Sequence, residues 1–334
     1  MTDPYPIGIL GCGDYLRWEH ETIRDSERVR VRALFDPAQE RAEHYADFFD
    51  ARPVGSADAI FDDDAIRAVL IFTPPWVRRE LVLRAAERGK HIITVKPLAP
   101  RLEPATEMLE AVRGRVRCAV FYRRTGNAEI ETLKRIFDGG EIGRLALYRQ
   151  DWLHHYPTWN EWATDPERNG GPFMDAMVHN LNTARYLAEG DVVRCTFLSD
   201  NHAQDLACND TESMKLDFSD GAAAHLFITW AADLEIYDPT KNDREHIDIF
   251  YMATDRGWHV TSEGGRIRAK KEDQVRTWPV EPLETTAYDR FVECIEADEP
   301  LPWDIVDAWK DIAIMERAAA RTGQPVDLHL APPV

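Results

Sequence analysis

The chain has 334 residues, 44% hydrophobic and 30% charged, which suffices for two domains that each bury a core. Its formal net charge of −19 argues against nucleic acid as a partner, since phosphate binding requires a basic face and none is visible. MTDPYPIG carries neither a basic region nor an apolar signal core, no apolar run approaches a membrane span, and the five cysteines are scattered without C-x-x-C spacing. The expected setting is therefore the cytoplasm, with reduced thiols, no membrane contact and no zinc cluster.

In chain order, Ile7 to Asp36 reads as a buried strand, a glycine turn, a helix and a second strand closed by an acid. This is half of a dinucleotide site. Gly11 and Gly13 let the backbone turn and approach a pyrophosphate at a helix start, with Asp14 and Tyr15 beside it. Asp36 is placed to accept hydrogen bonds from the adenine ribose and to repel a 2′-phosphate, which predicts NAD rather than NADP. Leu16 stands where the third glycine of G-x-G-x-x-G is usual, so the helix is expected further off or the turn rebuilt. Asp14 is read either as the helix N-cap or as a charge offset by Arg17. Cys12 is read as a small filler.

A helical period follows in PAQERAEHYADFF, with a short helix at Ala57 to Phe61. The apolar run Ala68 to Phe72 is a parallel strand covered on both faces. It ends at Thr73, Pro74 and Pro75, at the carboxyl edge where ligands collect in open α/β sheets. A helix over Val77 to Arg88, stopped by Gly89, and a strand over His91 to Val95 bring Lys96 and Pro97 to the same edge. A helix at Leu102 to Arg113 and a strand at Val116 to Phe121 complete the series. The first domain is taken as residues 1–122 and the second as 123–334.

The second half changes pattern. Helices are expected at Asn127 to Phe137, Phe173 to Leu187, Thr285 to Ala297 and Ile305 to Arg321. Strands are expected at Leu145 to Trp152, from Val192 onward with a hairpin turn at Asp220 and Gly221, and at His246 to Ala253, Trp258 to Thr261 and Arg266 to Ala269. The fold class is thus an α/β Rossmann dinucleotide-binding domain followed by an α+β domain with a large open, mainly antiparallel sheet.

Several blocks together resemble the Gfo/Idh/MocA oxidoreductases: AVLIFTPPWVRRELVLRAAERGKHIITVKPLA, YRR at Tyr122 to Arg124, DGGEIGRL at Asp138 to Leu145, GGPFMDAMVHNLN at Gly170 to Asn182 and RTGQPV at Arg321 to Val326. Three positions depart from the family pattern. Val95 replaces the usual glutamate before the lysine, Arg78 a common histidine and Asn182 a common aspartate. The resemblance implies NAD as cofactor, an open sheet that joins subunits into a homodimer or homotetramer, and a Lys96–Pro97 peptide in the cis form. The residues alone leave an ordinary trans proline equally open.

Oxidising a carbinol needs a hydride acceptor, a base for the hydroxyl proton and a positive group where alkoxide charge develops. Asp175 and His179, four apart on a helix, project from one face, and with Lys96 they match the family's D-x-x-x-H and lysine. His179 is assigned as general base, Lys96 as the cation on the substrate oxygen and Asp175 as the orienting partner. Which of Lys96 and His179 finally carries the proton stays open at this level. Trp152, His155, Tyr156 and Trp162, in a segment that also holds His154 and Trp159, are read either as a carbohydrate wall or as packing against sheet or subunit. Arg124 matches a family position near the substrate, and His246 is a further candidate.

The expected function is NAD-dependent oxidation of a secondary hydroxyl of a sugar, inositol, glycoside or related polyol. The alternatives are a redox-neutral glycosidase, epimerase or eliminase with tightly held NAD, and a non-catalytic sugar sensor.

Overall fold

The computed structural model describes residues 3–153, 161–231 and 247–333. The chain forms two compact units: Met1–Gly126 with Leu283–Trp309 and Pro332–Val334, and Asn127–Pro282 with Lys310–Ala331. The first unit begins β1 (Tyr5–Leu10), α1 (Asp14–Asp25), β2 (Val29–Phe35), α2 (Gln39–Phe49), β3 (Arg52–Pro53), α3 (Asp58–Phe61), β4 (Ala68–Ile71), α4 (Pro75–Glu87), β5 (His91–Val95), α5 (Leu102–Val112) and β6 (Cys118–Phe121). The strands pair in parallel in the order β3-β2-β1-β4-β5-β6. Strand order reverses between β1 and β4, so the loops after Leu10 and Ile71 flank the crevice at the carboxyl edge.

The second unit contains α6 (Ala128–Asp138), β7 (Leu145–Leu153), a π-helical turn (Phe173–Met177) running into α7 (Val178–Leu187), β8 (Val192–Asp200), β9 (Thr211–Phe218), β10 (Ala223–Thr229), β11 (Ile247–Thr254), β12 (His259–Glu263), β13 (Arg266–Lys271) and β14 (Gln274–Pro279). After them come α8 (Ala287–Glu296), α9 (Ile305–Ala319) and β15 (Pro325–Asp327). The large sheet runs β14-β13-β12-β11-β7-β10-β9-β8-β15, antiparallel except for the β7·β10 pair. Alternation sorts its faces. Tyr148, Gln150 and Trp152 of β7, with Met214, Leu216 and Leu226, are buried, whereas Leu198, Ser213, Phe227, Asp151 and Ile249 align across five strands on the other face. Leu198 and Ile249 are exposed there.

Two features differ from the sequence expectation. Helix α8 belongs to the first unit although the expected boundary placed residues 123–334 together. Its capping-box Asp289 also accepts hydrogen bonds from the Ser26 hydroxyl at 2.5 Å and the Arg28 amide at 3.0 Å, and Tyr288, Phe291 and Trp303 join the core of β1, β2 and β4. The helix expected over Phe173 to Leu187 opens instead with a π turn, a form that concentrates at functional sites. Among the described residues, no helix is long and apolar enough to cross a membrane.

Candidate active site

In the first unit the glycine turn is fixed from both sides. Gly11 has φ +97°, and a Cβ there would lie 2.8 Å from the Phe72 carbonyl oxygen and 3.2 Å from Thr73 Cγ2, so only glycine fits. At Gly13, the N-cap of α1, nothing stands within 4 Å of a Cβ position, and no side chain caps the helix. The helix start thus carries no side-chain cap that would compete with a pyrophosphate. Leu16 is fully buried in the core, so the missing third glycine is accommodated by apolar packing. The close helix-on-strand approach occurs at Gly8 instead, where a Cβ would meet Ile60 of α3.

Asp36 is buried, with one carboxylate oxygen accepting from the Cys12 amide at 2.8 Å and the other from Ala38 at 2.9 Å. It ties the glycine turn to the end of β2. Asp14 is the first residue of α1 and lies 3.4 Å from Arg17, so the offsetting reading holds and the N-cap reading does not. Burial first, and the Asp36 charge second, push the Cys12 thiol up to about 12, which leaves it a protonated filler at neutral pH. The Tyr15 ring packs on Phe72 at 4.7 Å between centroids. Thr73 presents a buried hydroxyl oxygen with no hydrogen-bond partner, and Pro74 is the N-cap residue of α4. An uncapped helix start, an open glycine, a buried acid and an orphaned hydroxyl along one edge fit a dinucleotide.

Lys96 is half-buried, and its peptide bond to Pro97 is cis. Val95 packs its side chain into the core, so the departure from glutamate places apolar surface there. Arg78 is buried and donates to the carbonyl oxygens of Thr73, Val95, Pro97 and Leu98. Arg124 is also buried, donating to Pro302 at 3.3 Å with Asp307 at 3.7 Å. It is engaged within its own unit.

In the second unit Asp175 lies in the π turn and His179 in the first turn of α7. Both are half-buried while Met174, Met177, Val178 and Asn180 are buried, so they share the accessible stripe, as their spacing predicts. Asn169, fully buried, donates to Asp175 at 3.0 Å and to the Ala163 carbonyl at 3.3 Å. Glu212 accepts from the Phe173 amide at 2.7 Å and the Ser199 hydroxyl at 3.0 Å, holding the start of the same turn. Asn182 faces the buried Asp311, donating at 2.6 Å, and Arg185 donates to the same carboxylate at 2.5 Å. Trp152 is buried at the end of β7 and Trp162 is half-buried. His154, His155, Tyr156, Trp159 and His246 lie outside the described residues. Among the described residues no group of three His, Cys, Asp or Glu could hold a metal ion.

Sequence reasoning missed Asn169, Glu212 and Asp311 and gave Arg78 no role. Two of these had a signal. Arg78 falls on the buried stripe of α4 with Pro75, Val82, Ala85 and Ala86, and Glu212 on the inward row of β9 with Met214, Leu216 and Phe218.

Burial pushes the Glu212 carboxyl up from the ordinary 4.5 to about 7, against the two hydrogen bonds that favour its ionised form. The folded protein holds this proton more tightly than the unfolded chain. The stability it contributes is therefore full below about pH 4.5 and lost as pH rises through about 7. Glu212→Gln keeps an acceptor for Phe173 without the charge. In urea unfolding it is expected to exceed the parent at pH 8 by up to about 3 kcal/mol, with the gap closing near pH 4.5; equal slopes against pH would contradict this.

Residues 6–122 match the family described as "Oxidoreductase family, NAD-binding Rossmann fold", and residues 130–247 match "GFO/IDH/MocA C-terminal domain". The chain is 27% identical over 320 residues to scyllo-inositol 2-dehydrogenase (NAD(+)) of Bacillus subtilis (strain 168), covering 88% of this chain and 87% of that protein. Its fold is similar to that of aldose-aldose oxidoreductase from Caulobacter crescentus, with TM-score 0.83, 21% identity and coverage of 97% and 100%. A similar likeness holds for levoglucosan dehydrogenase in complex with NADH and levoglucosan, with TM-score 0.78, 21% identity and coverage of 97% and 99%.

Proposed function

The chain belongs to the Gfo/Idh/MocA family of NAD-binding oxidoreductases acting on CH–OH groups, and we propose that it oxidises a secondary hydroxyl of a sugar, inositol, glycoside or related polyol. The observation that carries this reading is the stripe of Asp175 and His179 on the π turn and α7, in a chain whose cofactor edge ends in Lys96. The B. subtilis relative is named for an inositol, which supports the polyol class.

The glycine turn, Asp36 and Thr73 would hold NAD, which would supply the hydride acceptor. His179 takes the hydroxyl proton, Lys96 offsets the negative charge that develops on the oxygen, and Asp175, itself held by Asn169, orients His179. Trp162 and Trp152 are assigned to the substrate side with His155, Tyr156 and His246. A homodimer or homotetramer paired through the open sheet face is part of the same reading, supported by exposed Leu198 and Ile249 in one row. A single-chain species in sedimentation at micromolar concentration would oppose it.

The test is NADH absorbance on mixing the protein with NAD and a panel of inositols, aldoses, glycosides and sugar acids. Signal confined to one class supports the reading, whereas silence with cofactor released only on denaturation points to redox-neutral chemistry. Asp36→Asn removes the charge that disfavours a 2′-phosphate. It is expected to weaken NAD binding roughly tenfold and to narrow the preference over NADP; unchanged affinities for both in fluorescence titration would remove Asp36 from the adenosine site.

A further inference from the structure

Arg78 takes no part in the chemistry just described, yet the cofactor edge is assembled around it. It sits on the core-facing stripe of α4 and is 1% exposed. A guanidinium is costly in such a place unless its donors are satisfied. Its two terminal nitrogens are satisfied by main chain, Nη1 donating to the carbonyl oxygens of Val95, Pro97 and Leu98 and Nη2 to that of Thr73, while the buried Nε has no hydrogen-bond partner. The titratable groups acting on it are Tyr122, just past β6, and Cys118, the first residue of β6, and neither is a carboxylate. Burial brings the guanidinium down to about 9, so it remains a cation at neutral pH.

The acceptors it gathers define its role. Val95 and Pro97 are the immediate neighbours of Lys96, whose own amide donates to Phe121 at 3.1 Å. Thr73 carries the orphaned hydroxyl and packs its methyl beside the Gly11 turn. One planar group thus binds the ends of β4 and β5 to each other and, through Thr73, braces the glycine turn. Only a rigid fork of several donors can reach carbonyls on two strand ends at once; the compact ammonium of lysine cannot reproduce that spread. Both terminal nitrogens are engaged by main chain, so the fork of the group holds backbone.

We propose that Arg78 is a positioning residue, fixing the backbone on both sides of Lys96 and thereby the place and direction of its amine. This rests on the catalytic reading of Lys96 given above. The geometric demand is severe, since a displacement of about 1 Å in a reacting group costs on the order of 10²-fold in rate.

The test uses Arg78→Lys, which keeps the charge and loses the fork, with Arg78→Gln as the substitute if the lysine variant does not fold. Acetic anhydride labelling of Lys96, read by mass spectrometry against exposed Lys270, reports the amine without any substrate. Labelling of Lys96 is expected to accelerate roughly tenfold, and turnover on the responding panel substrate to fall roughly 10²-fold, with the NAD Kd within about threefold of the parent. At saturating NAD, Arg78→Lys combined with Lys96→Ala should be no slower than Lys96→Ala alone, because the arginine's effect on the chemical step passes through the lysine. Parental turnover and labelling in Arg78→Lys, or losses that multiply in the double variant, would overturn the proposal. A Lys96→Ala protein of full activity would instead overturn the catalytic reading, while the labelling result would still report on Arg78.

Discussion

Lys96→Ala is expected to lower turnover roughly 10²–10³-fold, the loss typical of removing one preorganised group that meets developing charge. The lysine follows β5, a strand with Ile92 to Val95 buried, and leads into a backbone segment held by Arg78. Its amine therefore starts from a fixed main chain, and little rearrangement precedes its work. The remaining edge is built from other residues: Gly11 and Gly13 at the turn, Asp36 on Cys12, and Thr73. NAD affinity should accordingly stay within about a few-fold of the parent while kcat falls, the pattern of an interaction made chiefly in the transition state. Stopped-flow reduction with fluorescence titration of NAD separates the two, and a loss confined to NAD binding would reassign Lys96 to the cofactor alone.

The largest expected effect on stability lies in the second unit. Asp311→Ala removes a fully buried carboxylate to which Asn182 and Arg185 both donate, joining α9 to α7. Truncating one partner of a buried ion pair costs about 3–5 kcal/mol, most of it from the charge left behind. Arg185→Met added to Asp311→Ala should recover part of that loss, since both charges are then gone. Asn182→Asp is expected to destabilise as well, because it sets a second carboxylate where an amide now donates at 2.6 Å. The departure at Asn182 is therefore matched by the acid on α9. Urea unfolding of the four proteins measures this, and an Asp311→Ala variant within about 1 kcal/mol of the parent would show that the pair contributes little.

The sequence reading went furthest where a segment's own period decides its structure. Ala68 to Ile71 is a strand because its continuous apolar run is covered on both faces, His91 to Val95 pairs beside it, and the Asp220–Gly221 turn closes its hairpin. The Rossmann half and the mainly antiparallel sheet follow from such local patterns. Strands β14 and β15 escaped because QVRTWP and PVD carry no alternation of buried residues, and their pairing comes from β13 and β8. Residues 283–309 were assigned by chain position, whereas Asp289, Tyr288 and Trp303 bind them to β1 and β2 through contacts more than two hundred residues apart. For the proposed site, Lys96, Asp175 and His179 were named from residue type, spacing and the resemblance to the family's lysine and D-x-x-x-H. Of the groups that brace these segments, Arg78 and Glu212 carried only the signal of a charged residue on a buried row, and Asn169 carried none, because the backbone and side-chain partners they reach are set by the fold.

The proposed reaction is hydride transfer from a carbinol carbon to NAD. It is tested most directly by supplying the responding panel substrate with deuterium on each carbinol carbon in turn and isolating the reduced cofactor. Deuterium at nicotinamide C4 from a single substrate carbon, appearing roughly 10²–10³-fold more slowly in Lys96→Ala, is the predicted result. Product formed with all deuterium left in place and none ever on the nicotinamide would contradict it.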